Sequence, residues 1–317
     1  MLLSGLLLPC LAPIARAQPA AFPTKPIRIV VPFAGGSGSD TGARVYGEML
    51  SKLVGQPVLV ENRPGASGQI AIQAVRQAPA DGHTILLASN SPLTVNPVVM
   101  KNLPYDPFKD IRPLVGVGKG AAAFVVKGDS PHRTIGDLVA WAKRENRSLN
   151  AGNYSAGYQL INAWLGTAAG VGITHIAYKG GAQMVNDVMA GDLDFGANDF
   201  GGLLALLKEK RVRVLAITAD RRHPAYPDIP TMKESGFPEF ESWVWTGFYV
   251  RAETPDDLTR RLADLWQQVL TSEPARAYQA TQTSEVLNLK LDEMRRFQIA
   301  EYERFRRVAD AAGVKPQ

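Results

Sequence analysis

Glycines and small polar residues are concentrated in four loops, each of which follows a short apolar run. The loops are Phe33–Ser39, Ser89–Ser91, Ala151–Gly157 and Asn198–Asp199. Such loops present backbone N–H groups, hydroxyls and carboxamides, which are donors suited to holding a small anion. Each loop alone is ordinary turn chemistry. Four such loops at strand ends favour a clamp around one small ligand in a cleft.

The sharpest signal is Gly35-Gly36-Ser37-Gly38-Ser39, which stands between a predicted strand and a predicted helix capped by Ser39 or Asp40. Glycines let the backbone approach a ligand, and the free N–H groups of a helix N-terminus attract anions. The segment is no P-loop, because no Gly-Lys-Ser/Thr follows it. A dinucleotide fingerprint would need a third glycine where Thr41 stands, and a plain tight turn is the remaining alternative.

Nucleophilic catalysis and metal chemistry find little support in the sequence. Gly65-Ala66-Ser67-Gly68-Gln69 departs from the Gly-x-Ser-x-Gly elbow at its last position. The histidines are scattered along the chain, at His83, His132, His175 and His223. We interpret Asp192 and Asp194 as a strand-edge pair rather than an acid–base pair. We therefore predict no catalytic residue, no metal and no cofactor, and we expect a binding protein rather than an enzyme.

Asp199 leaves two interpretations open. If its carboxylate faces the cleft, it would repel an anion and attract an ammonium group, which would favour an amino acid as the ligand. Alternatively, Asp199 caps the helical segment that begins at Gly201.

The elements that must position these loops alternate between strands and helices. This alternation runs from about residue 25 to 88 and restarts near residue 135, so it predicts two α/β units with mainly parallel sheets. Two of the strands, near Ala123 and Trp245, join the units. We therefore expect an α/β fold of two lobes with two crossing hinge strands and a cleft between the lobes.

Three strand boundaries within this pattern are specific enough to check. Ile111–Val117 and Ala121–Val126 are predicted as two separate strands, and Leu193–Phe195 as a short strand ahead of the Asn198–Asp199 loop.

The composition is that of a globular protein. With 317 residues, 45% hydrophobic and 21% charged, the chain is unlike a bulk disordered protein and suits about two domains. The net charge of +5 is only mildly basic, and we expect no nucleic-acid binding. Met1–Ala17 contains the one cysteine, Cys10, and is interpreted as a signal peptide cleaved near Ala17. We therefore predict export to the periplasm.

Several longer motifs resemble one family. They are Pro26–Ala34 (PIRIVVPFA), Gly55–Gly65 (GQPVLVENRPG), Asp81–Leu87 (DGHTILL), Leu103–Asp110 (LPYDPFKD), Tyr178–Gly180 (YKG), Val212–Thr218 (VRVLAIT) and Pro227–Thr231 (PDIPT). In this order, and over essentially the whole chain after the signal, the sequence is similar to the Bug-type substrate-binding proteins of tripartite tricarboxylate transporters, which are TctC-like receptors.

The resemblance implies a periplasmic-binding-protein fold of the type II, or Venus-flytrap, kind. Residues 24–122 and 247–317 would form domain 1, and residues 123–246 would form domain 2. It also implies capture of a small organic carboxylate between the lobes and delivery to the membrane permease of a tripartite tricarboxylate-type transporter. We expect a monomer and a ligand that is a di- or tricarboxylate, an aromatic acid or an acidic amino acid.

In such proteins the ligand carboxylate is held by the loop after the first strand and by a glycine/serine loop of the second domain, which match Phe33–Asp40 and Gly152–Tyr158 here. Combining these with the other polar loops and the YKG motif gives one set of candidate ligand-binding residues. The set is Phe33, Ala34, Gly35, Gly36, Ser37, Ser39, Asp40, Ser89, Asn90, Ser91, Asn153, Tyr154, Ser155, Gly157, Tyr158, Tyr178, Asn198 and Asp199.

The chain departs from the family pattern at the site. Gly35 replaces a proline, while Asn153, Ser155 and Tyr158 replace a serine, a glycine and a small hydroxyl residue. The aromatic face of Tyr158 favours an aromatic or unusual carboxylate. Two alternative functions stay open at this point: a sensing receptor that partners a sensor kinase, and a hydrolase on a two-lobed scaffold.

Overall fold

The computed structural model of the protein describes residues 22–316 and shows a mixed α/β fold. The predicted signal peptide lies outside the described residues. The strands are β1 Ile27–Val31, β2 Val58–Asn62, β3 Thr84–Ser89, β4 Ile111–Lys127, β5 Leu149–Asn153, β6 Ile173–Ala177, β7 Phe195–Asp199, β8 Val212–Ile217, β9 Trp243–Arg251 and β10 Glu285–Val286. The helices are α1 Gly38–Val54, α2 Gln69–Gln77, α3 Asn96–Val99, α4 Ile135–Arg144, α5 Ala156–Ala169, α6 Gly181–Ala190, α7 Leu204–Lys208, α8 Asp256–Thr271, α9 Glu273–Ala280 and α10 Asp292–Ala311. Within residues 22–316, no helix combines the length and the apolar character needed to cross a membrane.

Two sheets meet along the long strand β4. The strand order is β2-β1-β3-β9-β4-β7-β5-β6, with β8 and β10 also paired to β4. Within the first lobe β1, β2 and β3 are parallel, and within the second β5, β6 and β7 are parallel. β9 is antiparallel to both β3 and β4. The chain passes from the first lobe to the second along β4 and returns along β9. The expected two-lobed α/β fold with crossing hinge strands is confirmed.

The prediction of two separate strands over 111–126 is wrong, because β4 is continuous for 17 residues. The residues between the two predicted strands include Gly118 and Gly120, and glycine has low strand propensity. Those glycines instead let the segment around β10 lie against the strand. A Cβ placed on Gly118 would lie 3.2 Å from the Glu285 carbonyl oxygen, and one on Gly120 would lie 3.4 Å from Ser284 Cβ. Close backbone approach of this kind is a common reason for glycine within a strand.

The strand predicted at Leu193–Phe195 lies further along the chain, at Phe195–Asp199. Its second half is polar and carries no apolar pattern, but it pairs with β4, where Ala122 is opposite Asp199 and Ala123 opposite Asn198. Tertiary pairing therefore overrides local propensity here, and it extends the strand to the cavity edge.

Each lobe is a sheet covered by helices on both faces. Alternate residues of a strand enter different cores, as Ile29 packs with α1 and α8 while Val30 packs with α2 and α10. In the second lobe Phe124 faces α4 and α5, whereas Val125 faces α6. Helix α10 contributes to both lobes, because its start packs on the first sheet and its second half packs against α5.

Candidate ligand-binding site

A cavity of about 500 Å³ lies between the lobes, and all four polar loops reach its wall. Volumes of this size suit small organic ligands. Fourteen of the predicted residues line it: Phe33, Ala34, Gly35, Gly36, Ser37, Ser39, Ser89, Asn90, Ser91, Tyr154, Ser155, Tyr158, Asn198 and Asp199. The carboxyl ends of β1, β3, β5 and β7 thus converge on one space, as is usual for ligand sites in α/β folds.

The N-terminus of α1 forms one wall of the cavity. Its N-cap is Ser37, whose hydroxyl accepts the Asp40 N–H at 3.2 Å, and not Ser39 or Asp40 as predicted. Asp40 reaches back instead and accepts the Gly36 N–H at 2.8 Å, one residue before the N-cap. Gly36 has a φ of 82°, which favours glycine, so the loop turns towards the cavity.

Asn62, at the end of β2, holds this loop in position by hydrogen bonds from outside the cavity. Its amide donates to the Phe33 carbonyl and to Asp40 Oδ1, both at 3.0 Å. Burial alone would raise the pKa of Asp40, but the hydrogen bonds from Gly36, Arg44 and Asn62 outweigh it and lower the pKa. Asp40 is therefore a charged anchor that holds the loop in place.

Two helices of the second lobe also point their N-termini at the cavity. Helix α5 begins after Ser155, whose hydroxyl makes no bond to the helix, and α6 begins after Gly180, which has no side chain to cap it. The α5 terminus is instead reached from the first lobe, because Ser91 Oγ accepts the Gly157 N–H at 3.1 Å and lies 2.9 Å from Ser155 Oγ. The start of α6, Gly180–Gln183, lines the cavity. Helix N-termini carry unpaired N–H groups and partial positive charge.

Four predicted residues lie behind the main cavity wall. Asp40 anchors the first loop, and Asn153, the last residue of β5, is buried. Gly157 lines a small neighbouring pocket beside Ser91. The Tyr178 hydroxyl donates to Asp187 at 2.6 Å on α6. These positions shape the wall, and none is among the residues that line the main cavity.

The structure also brings in residues that the sequence reasoning missed. Lys179 and the first turns of α6 follow the predicted Tyr178, so the YKG motif was the available signal. Tyr46 of α1 and the C-terminal segment of the first lobe line the cavity as well, through Tyr278, Gln279, Gln282, Ser284, Glu285 and Val286. No local pattern marks that segment, because pairing of β10 with β4 places it there.

Asp199 faces the cavity from the end of β7. Burial raises the pKa of its carboxyl to about 6, and the hydrogen bond from the Gly201 N–H only partly opposes this. Asp199 thus lines the cavity, as the first interpretation requires, whereas the N-cap of the segment Gly201–Leu203 is Phe200 and not Asp199. Within residues 22–316, no group of three or more His, Cys, Asp or Glu side chains is arranged to hold a metal ion.

Comparison with known proteins identifies the family. The model of the tripartite tricarboxylate transporter family receptor, TctC, matches residues 43–314. The chain belongs to the TctC family. A UPF0065 protein of Bordetella bronchiseptica is 37% identical over 74% of this chain and 70% of its own length. Protein BugT of Bordetella pertussis is 33% identical over 71% of this chain and 70% of its own.

Solved structures agree with this assignment. A structure from R. palustris, determined with adipate, superposes with a TM-score of 0.89 at 29% identity, covering 93% of this chain and 100% of the other. The periplasmic binding protein BugD superposes with a TM-score of 0.88 at 28% identity, covering 93% and 100%. TctC members are solute-binding receptors, so the activity class of this chain is binding and not catalysis.

Proposed function

We propose that this TctC receptor captures a small organic carboxylate in the cavity between its lobes. The observation that carries the proposal is the convergence of the N-termini of α1 and α6 on one space of about 500 Å³, which the N-cap of α5, Ser155, also lines. The adipate held by the R. palustris relative supports a carboxylate as the ligand class.

The loop before α1 supplies N–H donors for the ligand carboxylate in this proposal. The N–H of Asp40 bonds to Ser37 Oγ and that of Thr41 to the Ser37 carbonyl, which leaves the N–H groups of Gly38 and Ser39 without a bond in the described chain. Free N–H groups at a helix start bind anions. The start of α6 and the neighbouring Lys179 supply a second set of donors from the other lobe.

Closure of the lobes on the ligand would follow from this geometry. We propose the predicted division, with 24–122 and 247–317 as one lobe and 123–246 as the other, pivoting at β4 and β9. The ligand bridges donors from both lobes, so its binding free energy would favour the closed arrangement.

We further propose that the protein is exported with cleavage near Ala17, acts in the periplasm as a monomer, and delivers its ligand to a tripartite tricarboxylate-type permease. The family description supports the transport role. Co-purification with the permease subunits in the presence of ligand, but not in its absence, tests the partnership.

A thermal-shift screen tests carboxylate capture. The panel contains di- and tricarboxylates, aromatic acids and acidic amino acids, with neutral amides of the same skeletons as matched controls. A ligand at 100 times its Kd should stabilise the fold by about 2.7 kcal/mol. Melting temperatures that stay unchanged across all the acids would contradict the proposal.

A further inference from the structure

The carboxylate of Asp199 projects from the end of β7 into the space between the lobes. A Cβ placed on Gly38, at the start of α1, would lie 3.4 Å from Asp199 Oδ2, and one placed on Gly120 of β4 would lie 3.8 Å from Oδ1. The carboxylate therefore lies on the cavity wall beside the start of α1, within reach of a ligand that also contacts the α1 loop.

No cation of the described chain neutralises this carboxylate. Burial raises the pKa of its carboxyl, and the hydrogen bond from the Gly201 N–H partly opposes this. No Lys, Arg or His of residues 22–316 contributes to that pKa. Glu285 on the same cavity wall differs, because it is paired with Lys119 at 3.3 Å and with Arg221 at 2.7 Å. A charged group removed from water is costly unless it is paired, so Asp199 is a site for a positive group that the protein does not itself supply.

Aromatic rings line the same cavity as Asp199. The charge on Asp199 acts on Tyr154, Tyr158 and Tyr278, whose pKa values are raised chiefly by burial and further by this carboxylate. Tyr154 and Tyr158 have ring centroids 4.5 Å apart, and Phe33 meets Tyr154 edge-on at 6.1 Å. All of these rings line the cavity. Faces of aromatic rings attract cations, and cages of aromatic rings bind quaternary ammonium groups.

We propose that Asp199 and the tyrosines of the same cavity wall form a subsite for an ammonium group, so that the ligand is zwitterionic, with a carboxylate on the helix N-termini and a nitrogen cation at Asp199. This proposal rests on the proposed function, since it assigns the second charged group of the same ligand. The remaining charged side chain on the wall, Lys179, lies at the start of α6, where it suits a carboxylate rather than the ammonium.

The test uses acids that differ only by an amino group, namely adipate against 2-aminoadipate, glutarate against glutamate, and succinate against aspartate. Glycine betaine against glycine distinguishes a quaternary from a primary ammonium, with acetate as the nitrogen-free reference. Isothermal titration calorimetry should show that the nitrogen-bearing member of at least one pair binds at least about tenfold more tightly. Asp199→Asn should remove that preference while leaving the affinity for the amino-free acid equal or higher, because repulsion of the anion is lost.

Asp220→Asn is the matched control, because Asp220 is exposed in the same lobe and the substitution makes the same change in net charge. It should leave the preference unchanged. If the amino-free acids bind as tightly as their amino counterparts, or if Asp199→Asn keeps the preference, the ammonium subsite is wrong although carboxylate capture stands. If neither member of any pair binds, the ammonium subsite is wrong, and the thermal-shift screen over the wider panel of acids decides the proposed function separately.

Discussion

Two aspartates lie near the cavity with opposite surroundings, Asp40 behind its wall in the first lobe and Asp199 on its wall in the second. Asp40 is bonded to the Gly36 N–H, to Asn62 and to Arg44, and its pKa is lowered because these bonds outweigh burial. Asp199 has a single backbone donor, and burial raises its pKa to about 6. The first lobe thus satisfies its charge internally and presents a fixed anion cradle. In the second lobe the Asp199 carboxylate has no cationic partner within residues 22–316, so a cationic group of the ligand can pair with it.

The largest effect is expected from removing the satisfied carboxylate. Asp40→Ala leaves the Gly36 N–H and the Arg44 guanidinium without their partner, so the free energy of unfolding should fall by about 2 kcal/mol. Urea denaturation measures this loss. The matched control is Asp257→Ala, which removes an exposed first-turn acid of α8 and should cost about 0.5 kcal/mol. Equal losses in the two variants would show that Asp40 acts only through the helix dipole.

Neutralising Asp199 should have the opposite effect and raise the free energy of unfolding. The folded pKa of Asp199 lies above the unfolded value of 3.8, so its protonation favours the folded state below pH 4, and this contribution is lost as the pH rises through about 6. Asp199→Asn should therefore stabilise the ligand-free protein at pH 8 by about 1 kcal/mol relative to wild type, and the difference should vanish near pH 4. Thermal unfolding across this pH range measures it. A variant that is less stable than wild type at pH 8 would remove the contrast between the two lobes.

A smaller effect is expected where the lobes touch. Ser91→Ala removes the hydroxyl that accepts the Gly157 N–H and contacts Ser155 across the cleft, which should weaken ligand binding about fivefold, or about 1 kcal/mol. Ser51→Ala is the control, since its hydroxyl bond to the Gln56 carbonyl lies within one lobe. It should lower stability by a similar amount without changing ligand affinity. Equal affinities for the Ser91 variant and wild type would show that this contact does not favour the closed arrangement.

The smallest effect is expected at the third carboxylate of the cavity. Glu285 is partly exposed and already paired with Lys119 and Arg221, so Glu285→Gln should change the free energy of unfolding by less than about 0.5 kcal/mol at any pH from about 5 to 8. Denaturation curves at both ends of that range check it. A pH-dependent change as large as that of Asp199→Asn would show that ion pairing is not what makes Glu285 differ from Asp199.

The fold was largely predictable because its elements carry strong local patterns. The β1 run, the glycine-rich loop and the helix after it are adjacent in sequence, so the strand, the turn and the anion cradle could be predicted together. The capping residue was misplaced, although Ser37 and Asp40 have the spacing of a capping box.

The parts of the site that were missed depend on contacts distant in sequence. The wall around Tyr278 is placed by β10, a two-residue strand that exists only because it pairs with β4 at Gly118 and Lys119. The environment of Asp199 could not be inferred from its neighbours either. Its lack of a cationic partner within residues 22–316 is set by which side chains other elements bring to the cavity.

The most direct measurement of the central claim is a crystal structure of the protein with the tightest-binding acid from the screen. We predict density in the cavity between the lobes, with a ligand carboxylate accepting N–H groups from the loop of residues 34–39 and from the start of α6. A ligand bound outside this cavity, or one whose carboxylate points away from the helix N-termini, would contradict the account.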